Sequence, residues 1–306
     1  MDVTLRHLRI FLAVCENGCN TTRAAEALHM TQPAVSLAIR ELESYYEVVL
    51  FDRLGRRLRL SSAGERLLGY ARHITASFDE MEEALWSSER PGRLKVGASM
   101  TIGSQFLPGY VKAITARLPG AEVLATVGPS ELLEERLLEN SLDIALMEGV
   151  PSSELLVSEE YMEDSLAVIC PPDFGFETGD TMSVEEFRQQ KFLLRERGSG
   201  AREEFERVIA GAGFSVSPAW EAMSTTALVN AVISGLGIAV LPARMVRGAV
   251  ERGFVAAVRV EGLDFTRRFR IVRHRDKYLT NLALEFMDLC RNYELDYPDP
   301  QYTGLY

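Results

Sequence analysis

The fold of the N-terminal region is decided by residues 21–43, which read TTRAAEALHMTQPAVSLAIRELE. The first third of this stretch has the apolar spacing of a short helix, whose first amides Thr21 or Thr22 can cap. After a tight turn, Pro33 stands in the first turn of a second helix, where proline removes no hydrogen bond and pre-sets φ. Two short helices joined in this way predict a helix-turn-helix.

Flanking patterns complete a winged module over residues 1–60. Upstream, apolar residues recur at helical spacing from Leu5 to Cys15, and Gly18 marks the end of that helix. Downstream, two short strands around 48–51 and 58–60 enclose a turn and predict a hairpin wing. The wing carries four arginines, at positions 53, 56, 57 and 59, and such a cluster of like charges indicates a polyanionic partner.

The second helix of the pair is expected to read DNA. Recognition helices enter the major groove with their N-terminal residues facing the base edges. Gln32, Ser36 and Arg40 follow one another at four-residue spacing on one face, and a glutamine can bond both N6 and N7 of adenine. The wing arginines suit phosphates or a minor groove. The predicted DNA-binding residues are Thr31, Gln32, Pro33, Ser36, Arg40, Arg53, Arg56 and Arg57.

The charge distribution agrees with a DNA-binding N-terminus in an otherwise acidic chain. The 306 residues carry a net charge of −11. Residues 1–73 hold ten Arg, no Lys and eight Asp or Glu, a net charge of +2, so the remainder carries −13. An acidic remainder repels non-specific DNA and confines contact to the N-terminal module.

A long helix is predicted over residues 61–90, with a hinge at Pro91-Gly92. Its apolar residues recur at alternating spacings of four and three, an a/d stripe flanked by acidic side chains. The narrow stripe favours a dimerisation coiled coil; the alternative is an amphipathic helix packed on its own domain. The predicted seam consists of Leu67, Ala71, Ile74, Phe78, Met81 and Leu85.

Residues 91–295 alternate between strands and helices, and residues 296–306 form a tail rich in Pro, Asp and Tyr. Repeated βαβ units predict parallel sheets with helices on both faces. The four cysteines lack a second Cys or His pair at metal-ligand spacing, so we expect reduced, mostly buried thiols and neither metal nor cofactor. No apolar run is long enough for a membrane span and no secretory signal is visible, which favours the cytoplasm.

Five sequence pieces resemble the LysR-type transcriptional regulators, in the order and at the spacing of that family. These pieces are AAEAL at 24–28, TQPAVS at 31–36, IRELE at 39–43, LFDR at 50–53 and AG at 63–64. The chain departs from the family at Glu47, where a glycine usually follows the recognition helix, at Leu37, where Arg or Ser is frequent, and in a longer turn around Gly18. These departures affect the detail of DNA binding and leave the class unchanged.

The resemblance implies the organisation of the rest of the chain. Residues 91–295 would form a two-lobed α/β effector domain similar to periplasmic binding proteins, with lobe I at about 91–162 and 266–295 and lobe II at about 163–265. The regulator would act as a homo-oligomer, with a dimer reading a pseudo-palindromic DNA site and a tetramer common in the family. Ligand closure of the lobes would alter DNA bending and the contact with RNA polymerase.

The effector pocket is expected between the lobes, at the carboxyl ends of strands. Helix N-termini with hydroxyl groups, together with Arg195 and Arg197, favour a small carboxylate or oxyanion. The predicted effector-binding residues are Ser99, Met100, Thr101, Gly128, Arg195, Ser199 and Thr225. As alternatives, Ser99, Ser199 and Ser224 serve only as helix N-caps, and the two arginines pair with Glu196 or Glu203.

Two other classes of function are weighed against a sequence-specific regulator controlled by a small molecule. A small-molecule enzyme with an accessory helical domain lacks support, since the chain has no Gly-x-Ser-x-Gly elbow, Walker loop or paired-His zinc motif. A binding protein whose helix-turn-helix contacts only protein would not need the polar recognition face. The sequence therefore favours a DNA-binding regulator that is not an enzyme.

Overall fold

Residues 2–54, 57–86 and 92–293 are described by the computed structural model. The chain divides into two units. The first consists of residues 1–90 with 138–141, and the second of residues 91–137 with 142–306.

The first unit contains the helix-turn-helix, the hairpin and the long helix that the sequence predicts. Its elements are α1 (Leu5–Glu16), α2 (Thr21–Ala27), α3 (Gln32–Tyr46), β1 (Phe51–Leu54), β2 (Arg57–Leu60) and α4 (Ser62–Trp86). The two strands are antiparallel, with Phe51 opposite Leu60. Phe11, Val35 and Leu42 are fully buried between the helices, so α1 and the wing hold α3 from behind and leave its other face in solvent.

Two local predictions in this unit are wrong, because side chains cap the backbone where the sequence pattern suggested otherwise. Asn20, and neither threonine, caps α2, and its Oδ1 accepts from the amides of Thr22 (2.9 Å) and Arg23 (3.1 Å). Two successive left-handed residues before it lengthen the turn and move the cap one position earlier. The first wing strand begins at Phe51 rather than Val48, since Glu43 Oε1 accepts from the Leu50 amide at 2.8 Å.

The turn from α3 into the wing is left-handed at Glu47, with φ 53° and ψ 40°. Its amide donates to the carbonyl of Glu43, which closes the helix as a C-terminal glycine would. A residue with a Cβ is strained in this region by about 1–2 kcal/mol. The missing family glycine is therefore a local source of instability.

We expect Glu47→Gly to stabilise the first unit by about 1 kcal/mol, because glycine adopts this conformation without strain. Urea unfolding followed by helical circular dichroism measures the change. Glu47→Ala is the matched control, since it removes the same charge near the helix C-terminus and keeps the Cβ. An equal gain from both variants would assign the effect to charge and contradict the strain.

The second unit is built from strands and helices that alternate over most of its length. Its strands are β3 (Arg93–Ala98), β4 (Glu122–Val127), β5 (Ile144–Glu148), β6 (Leu156–Cys170), β7 (Thr181–Met182), β8 (Phe192–Arg195), β9 (Pro218–Ala222), β10 (Ile238–Pro242), β11 (Ala256–Val260) and β12 (Thr266–His274). Its helices are α5 (Met100–Gln105), α6 (Leu107–Arg117), α7 (Ser130–Leu138), α8 (Val184–Arg188), α9 (Gly200–Gly211), α10 (Thr225–Ile233), α11 (Ala243–Glu251) and α12 (Asn281–Asn292).

The sheet is mixed, so the prediction of purely parallel sheets is wrong for two strands. β3 pairs in parallel with β4 and β5, and β8 with β9 and β10. In contrast, β12 and β6 run antiparallel to each other over nearly the whole of β12. β6 continues beyond β12 to pair antiparallel with β10 and β11. Through its length, β6 therefore joins two halves of the sheet.

Each half has its own apolar core, and we call these halves the first and second lobes. Phe106, Tyr110 and Phe269 are fully buried in the first lobe, around β3, β5 and β12. Phe187 and Phe205 are fully buried in the second, around β8 and β10. Parallel strands in both lobes end towards α5, α7, α9 and α10, and the start of each of these helices supplies polar groups.

Candidate nucleic-acid interface and ligand cleft

One face of α3 is polar and turned to solvent. Val35, Ala38 and Leu42 fix the opposite face in the core of the first unit. Of the predicted contact residues on this helix, Ser36 is half-buried and the others are exposed; these are Thr31, Gln32, Pro33 and Arg40.

The exposed face of α3 is organised by hydrogen bonds. Gln32 Nε2 donates to Ser36 Oγ at 2.8 Å and to Thr21 Oγ1 at 3.2 Å. Arg40 Nε donates to the Ser36 carbonyl at 3.3 Å. Thr31 is the N-cap residue of α3, but its side chain makes no capping bond. Amide, hydroxyl and guanidinium groups thus lie in one row, and each can exchange its exposed contact for a base or a phosphate.

The predicted wing residues are only partly within the described structure. Arg56 lies outside the described residues. The backbones of Arg53 and Arg57 belong to β1 and β2, and the structure does not describe their side chains. Arg59, on the same hairpin, is exposed.

The apolar stripe of α4 changes character along the helix. Ala71 is fully buried in the core of its own unit, and Leu67 packs against that core. Further along, the stripe is exposed to solvent, and the exposed residues are Ile74, Phe78, Met81 and Leu85. The first part of the stripe therefore packs on its own unit, as the alternative interpretation expects, and the second part is exposed to solvent.

In the second unit, a cleft lies at the strand ends between α5, α7 and α9. Six of the seven predicted effector residues line it: Ser99, Met100, Thr101, Gly128, Arg195 and Ser199. The volume open to a water-sized sphere is about 10 Å³, roughly the space for one water molecule.

Serine hydroxyls in the cleft are left without partners. Ser99 and Ser130 are buried, and their Oγ atoms have no hydrogen-bond partner within the described residues. Ser99 and Ser199 occupy N-cap positions, yet neither side chain caps its helix. Ser224 does act as an N-cap, accepting from the Ala227 amide at 3.2 Å. The N-cap alternative thus holds for Ser224 and leaves the hydroxyls of the cleft available to a ligand.

Arg195 is buried and already paired. Its Nε and Nη2 donate to both carboxylate oxygens of Glu196, at 2.8 and 2.9 Å. Its Nη1 donates to Thr225 Oγ1 at 3.4 Å. Thr225, the remaining predicted effector residue, contacts Arg195 and is not among the lining residues, whereas Arg197 is exposed. The pairing with Glu196 leaves less free positive charge than the sequence suggested.

Pro129, Glu196 and Gly200 also line the cleft and belong to the segments expected at the strand ends. Three lining residues were missed in the sequence: Ser130, Glu148 and Ala201. Ser130 and Ala201 are close neighbours of predicted residues. Glu148 is different, because it ends the fully buried strand β5 as a charged residue. A carboxylate that closes an otherwise apolar strand was the signal that could have identified it.

A buried network of charged side chains extends from Glu148 to strands β12 and β6. Arg267 on β12 pairs with Asp164 on β6 at 2.7 Å, and its Nη1 lies 3.5 Å from Glu148 Oε1 without hydrogen-bond geometry. Its Nη2 also donates to Thr101 Oγ1 at 3.2 Å. Arg244 contacts the other oxygen of Asp164 at 3.3 Å. Charged side chains thereby link the cleft to strands β6 and β12.

The four cysteines are free thiols. Burial, more than any neighbouring charge, raises the pKa of the Cys15 thiol to about 12 and that of Cys170 to about 11. Among the residues that the structure describes, no group of His, Cys, Asp and Glu side chains is arranged to hold a metal ion. Every helix within the described ranges is too short or too polar to cross a membrane.

Comparison with known proteins identifies both parts of the chain. Residues 5–65 match the family model of the bacterial regulatory helix-turn-helix protein, lysR family, and residues 87–294 match that of the LysR substrate binding domain. The RuBisCO operon transcriptional regulator of Allochromatium vinosum is 34% identical over 291 residues, which cover 94% of this chain and 95% of that protein.

Two solved structures share the fold. Full-length CbnR complexed with its target DNA superposes with a TM-score of 0.60 at 23% identity, covering 94% of this chain and 99% of that one. The regulatory domain of CcmR from Synechocystis PCC6803, in complex with 2-PG, superposes with a TM-score of 0.60 at 22% identity. It covers 65% of this chain and 96% of that domain.

Proposed function

Since the chain belongs to the LysR family of DNA-binding transcriptional regulators, which are not enzymes, we propose that a small molecule held in the cleft controls its sequence-specific binding to operator DNA. The observation that carries this proposal is the cleft itself. Two buried serine hydroxyls that find no partner among the described residues line a space at the ends of parallel strands, and such groups are rarely left unsatisfied in a folded protein. A ligand that bonds them removes this penalty.

The functional division follows the predicted boundaries. Residues 1–60 would bind DNA, 61–90 would link and dimerise, and 91–295 would bind the effector in the cytoplasm. The effector would lie between lobe I (about 91–162 and 266–295) and lobe II (about 163–265). Because the cleft as described admits about one water, ligand entry requires the lobes to move about β6 and β12. That movement would change DNA bending and the contact with RNA polymerase.

The DNA-reading role is assigned to the polar face of α3. Gln32 supplies the donor and acceptor that an adenine edge needs, while Arg40 and the wing arginines 53, 56 and 57 supply charge for phosphates. In free protein the Gln32 amide bonds Ser36 and Thr21, which holds it at the surface in one orientation. This role is supported by the structure of the similar CbnR with its target DNA.

We expect Gln32→Ala to weaken binding to an operator about 5- to 100-fold and to leave binding to unrelated duplex DNA unchanged, because one bidentate base contact carries about 1–3 kcal/mol. Fluorescence anisotropy at fixed salt measures both affinities, with an operator selected from a random duplex pool by the wild-type chain. Ser44→Ala, an exposed change elsewhere on α3, is the control. An equal loss on both DNAs would remove Gln32 from base reading.

Self-association is assigned to the open part of the α4 stripe. Ile74, Phe78, Met81 and Leu85 keep the spacing of a coiled-coil seam and are exposed in the single chain. Exposed apolar side chains in a row mark a surface that a partner covers. A second copy of the helix is the partner that the heptad spacing accommodates, and the resulting dimer would pair two recognition helices on a pseudo-palindrome. The tetramer common in the family stays open.

A further inference from the structure

The cleft contains a carboxylate whose second oxygen is not used by the protein. Within the described residues, the hydrogen bonds and ion pairs of the Glu148 side chain consist of the 3.5 Å contact between its Oε1 and Arg267. Its Oε2 lies close to Gly200 at the start of α9. A Cβ placed on Gly200 would lie 3.0 Å from that oxygen and 3.2 Å from Ser130 Oγ. Glycine at 200 thus lets the start of α9 approach one acceptor and one hydroxyl more closely than a residue with a Cβ could.

Donors for an acid group stand around the same space. Ser99 and Ser130 are at least nine-tenths buried and line the cleft with hydroxyls that lack partners. Gly200 and Ala201 open the 12-residue helix α9, whose first-turn amides have no partners within the helix. A small acid group can therefore accept several hydrogen bonds here, independently of Arg195.

The electrostatics of the cleft disfavour a ligand of high negative charge. Arg195 is matched by Glu196, and Arg267 by Asp164 and Glu148. Desolvation, and after it the charges of nearby acidic residues, raise the pKa of the Glu203 carboxyl on α9. The neighbouring acids include Glu134, Glu131 and Glu148. The Glu148 carboxylate at the cleft wall repels any ligand that presents only hydrogen-bond acceptors to it.

We propose that the effector is a small monoanion that carries a hydrogen-bond donor, either a hydroxy acid or a protonated oxyanion. Its donor bonds Glu148 Oε2, while its acid oxygens accept from the Ser99 and Ser130 hydroxyls and the first amides of α9. This inference rests on the proposed function of the cleft. It replaces the broader expectation of any carboxylate or oxyanion with a class that excludes anions lacking a proton to donate.

Isothermal titration of the full chain near neutral pH tests the donor with matched pairs of probes. Glycolate carries a hydroxyl group where propionate carries a methyl group. Hydrogen carbonate and nitrate share their charge and planar shape, and only hydrogen carbonate carries a hydroxyl group. We expect the hydroxylated member of each pair to bind about 10- to 100-fold more tightly, since a hydrogen bond to a charged group carries that difference. Equal binding within the pairs, or no binding by any probe up to about 50 mM, would overturn the inference.

Glu148→Gln separates the donor requirement from general electrostatics. The amide has the shape of the carboxylate and offers an N–H, so the hydrogen carbonate to nitrate ratio should fall at least about 10-fold. Glu131→Gln is the control; it removes a charge beside Gly198 at the rim and should keep the ratio. An unchanged ratio in Glu148→Gln would contradict the proposal.

Operator binding by the same preparations, measured by anisotropy, distinguishes the two levels of the proposal. Retained operator specificity with no discrimination between probes removes this inference and leaves the regulator in place. Discrimination without any operator specificity would remove the proposed function instead.

Discussion

Arg267→Met is expected to destabilise the second unit by about 3–5 kcal/mol. The side chain of Arg267 is 2% exposed and bonds Asp164 through Nε at 2.8 Å and Nη2 at 2.7 Å. Methionine fills a similar volume but leaves the buried carboxylates of Asp164 and Glu148 without this cation. Removing one partner of a buried pair is costly because the remaining charge has lost both its water and its counter-ion. Arg244 still contacts Asp164, but it is half in solvent and screens the charge only in part.

Arg268→Met is the matched control on the same strand. Arg268 pairs with Glu163 at 2.7 Å, and both side chains are at least half exposed, so the loss should be below about 1 kcal/mol. Hydrogen exchange of peptides from β6 and β12 measures the stability of this region without assuming that the whole chain unfolds in one step. Adding Asp164→Asn to Arg267→Met should recover part of the loss. Equal effects of the two arginine variants would show that the buried network contributes no more than a surface pair.

The same network would connect a ligand in the cleft to a distant part of its unit. Arg267 Nη2 donates to Thr101 in the cleft and the guanidinium also clamps β6 to β12, the strands on which the lobes would move. A ligand that draws Glu148 or Thr101 towards itself alters the surroundings of Arg267. Coupling of this kind needs an element with two arrangements, and we propose the network around Arg267 as that element.

The sequence was sufficient where the signal is local. The apolar spacing of α1 and α3, Pro33 in a first helical turn and the arginine-rich hairpin each depend on neighbours within a few positions. Six of the predicted residues line one cleft because they follow strands, and strand ends converge at one edge of a parallel sheet. Helix caps were harder to predict. Asn20 takes the N-cap position of α2 in place of the threonines, because two left-handed residues before it lengthen the turn.

The features that the sequence did not predict depend on contacts between residues far apart in the chain. Arg267 and Asp164 are 103 residues apart, and no periodicity links them. The first part of β6 reads LVSEEYMEDS, and its irregular mixture of apolar and acidic residues conceals a strand that pairs with β12 on one edge. The antiparallel pairing of β6 with β12 was therefore missed, and with it the network that joins Arg267 to Asp164 and Glu148.

Gly64→Ala is expected to destabilise the first unit by about 3–5 kcal/mol and to abolish operator binding. A Cβ on Gly64 would lie 2.3 Å from the backbone carbonyl oxygen of Leu50, which cannot rotate away as a side chain could. That carbonyl accepts from the Ser61 amide at 3.0 Å, and Ser61 Oγ bonds both the Gly64 amide (3.0 Å) and the Val49 carbonyl (2.5 Å). Relieving the clash moves the start of α4 from the wing and breaks these bonds together.

Gly69→Ala supplies the control, because it makes the same chemical change five residues later in α4. Beyond the helix's own backbone, no atom of the described residues lies within 4 Å of the Cβ position there, so alanine should stabilise the helix by about 0.5–1 kcal/mol through its higher helix propensity. The two variants are predicted to have opposite signs in thermal unfolding followed by circular dichroism. If Gly64→Ala were also stabilising, helix propensity alone would govern both positions, and the close approach of α4 to Leu50 would not hold the wing beside the recognition helix.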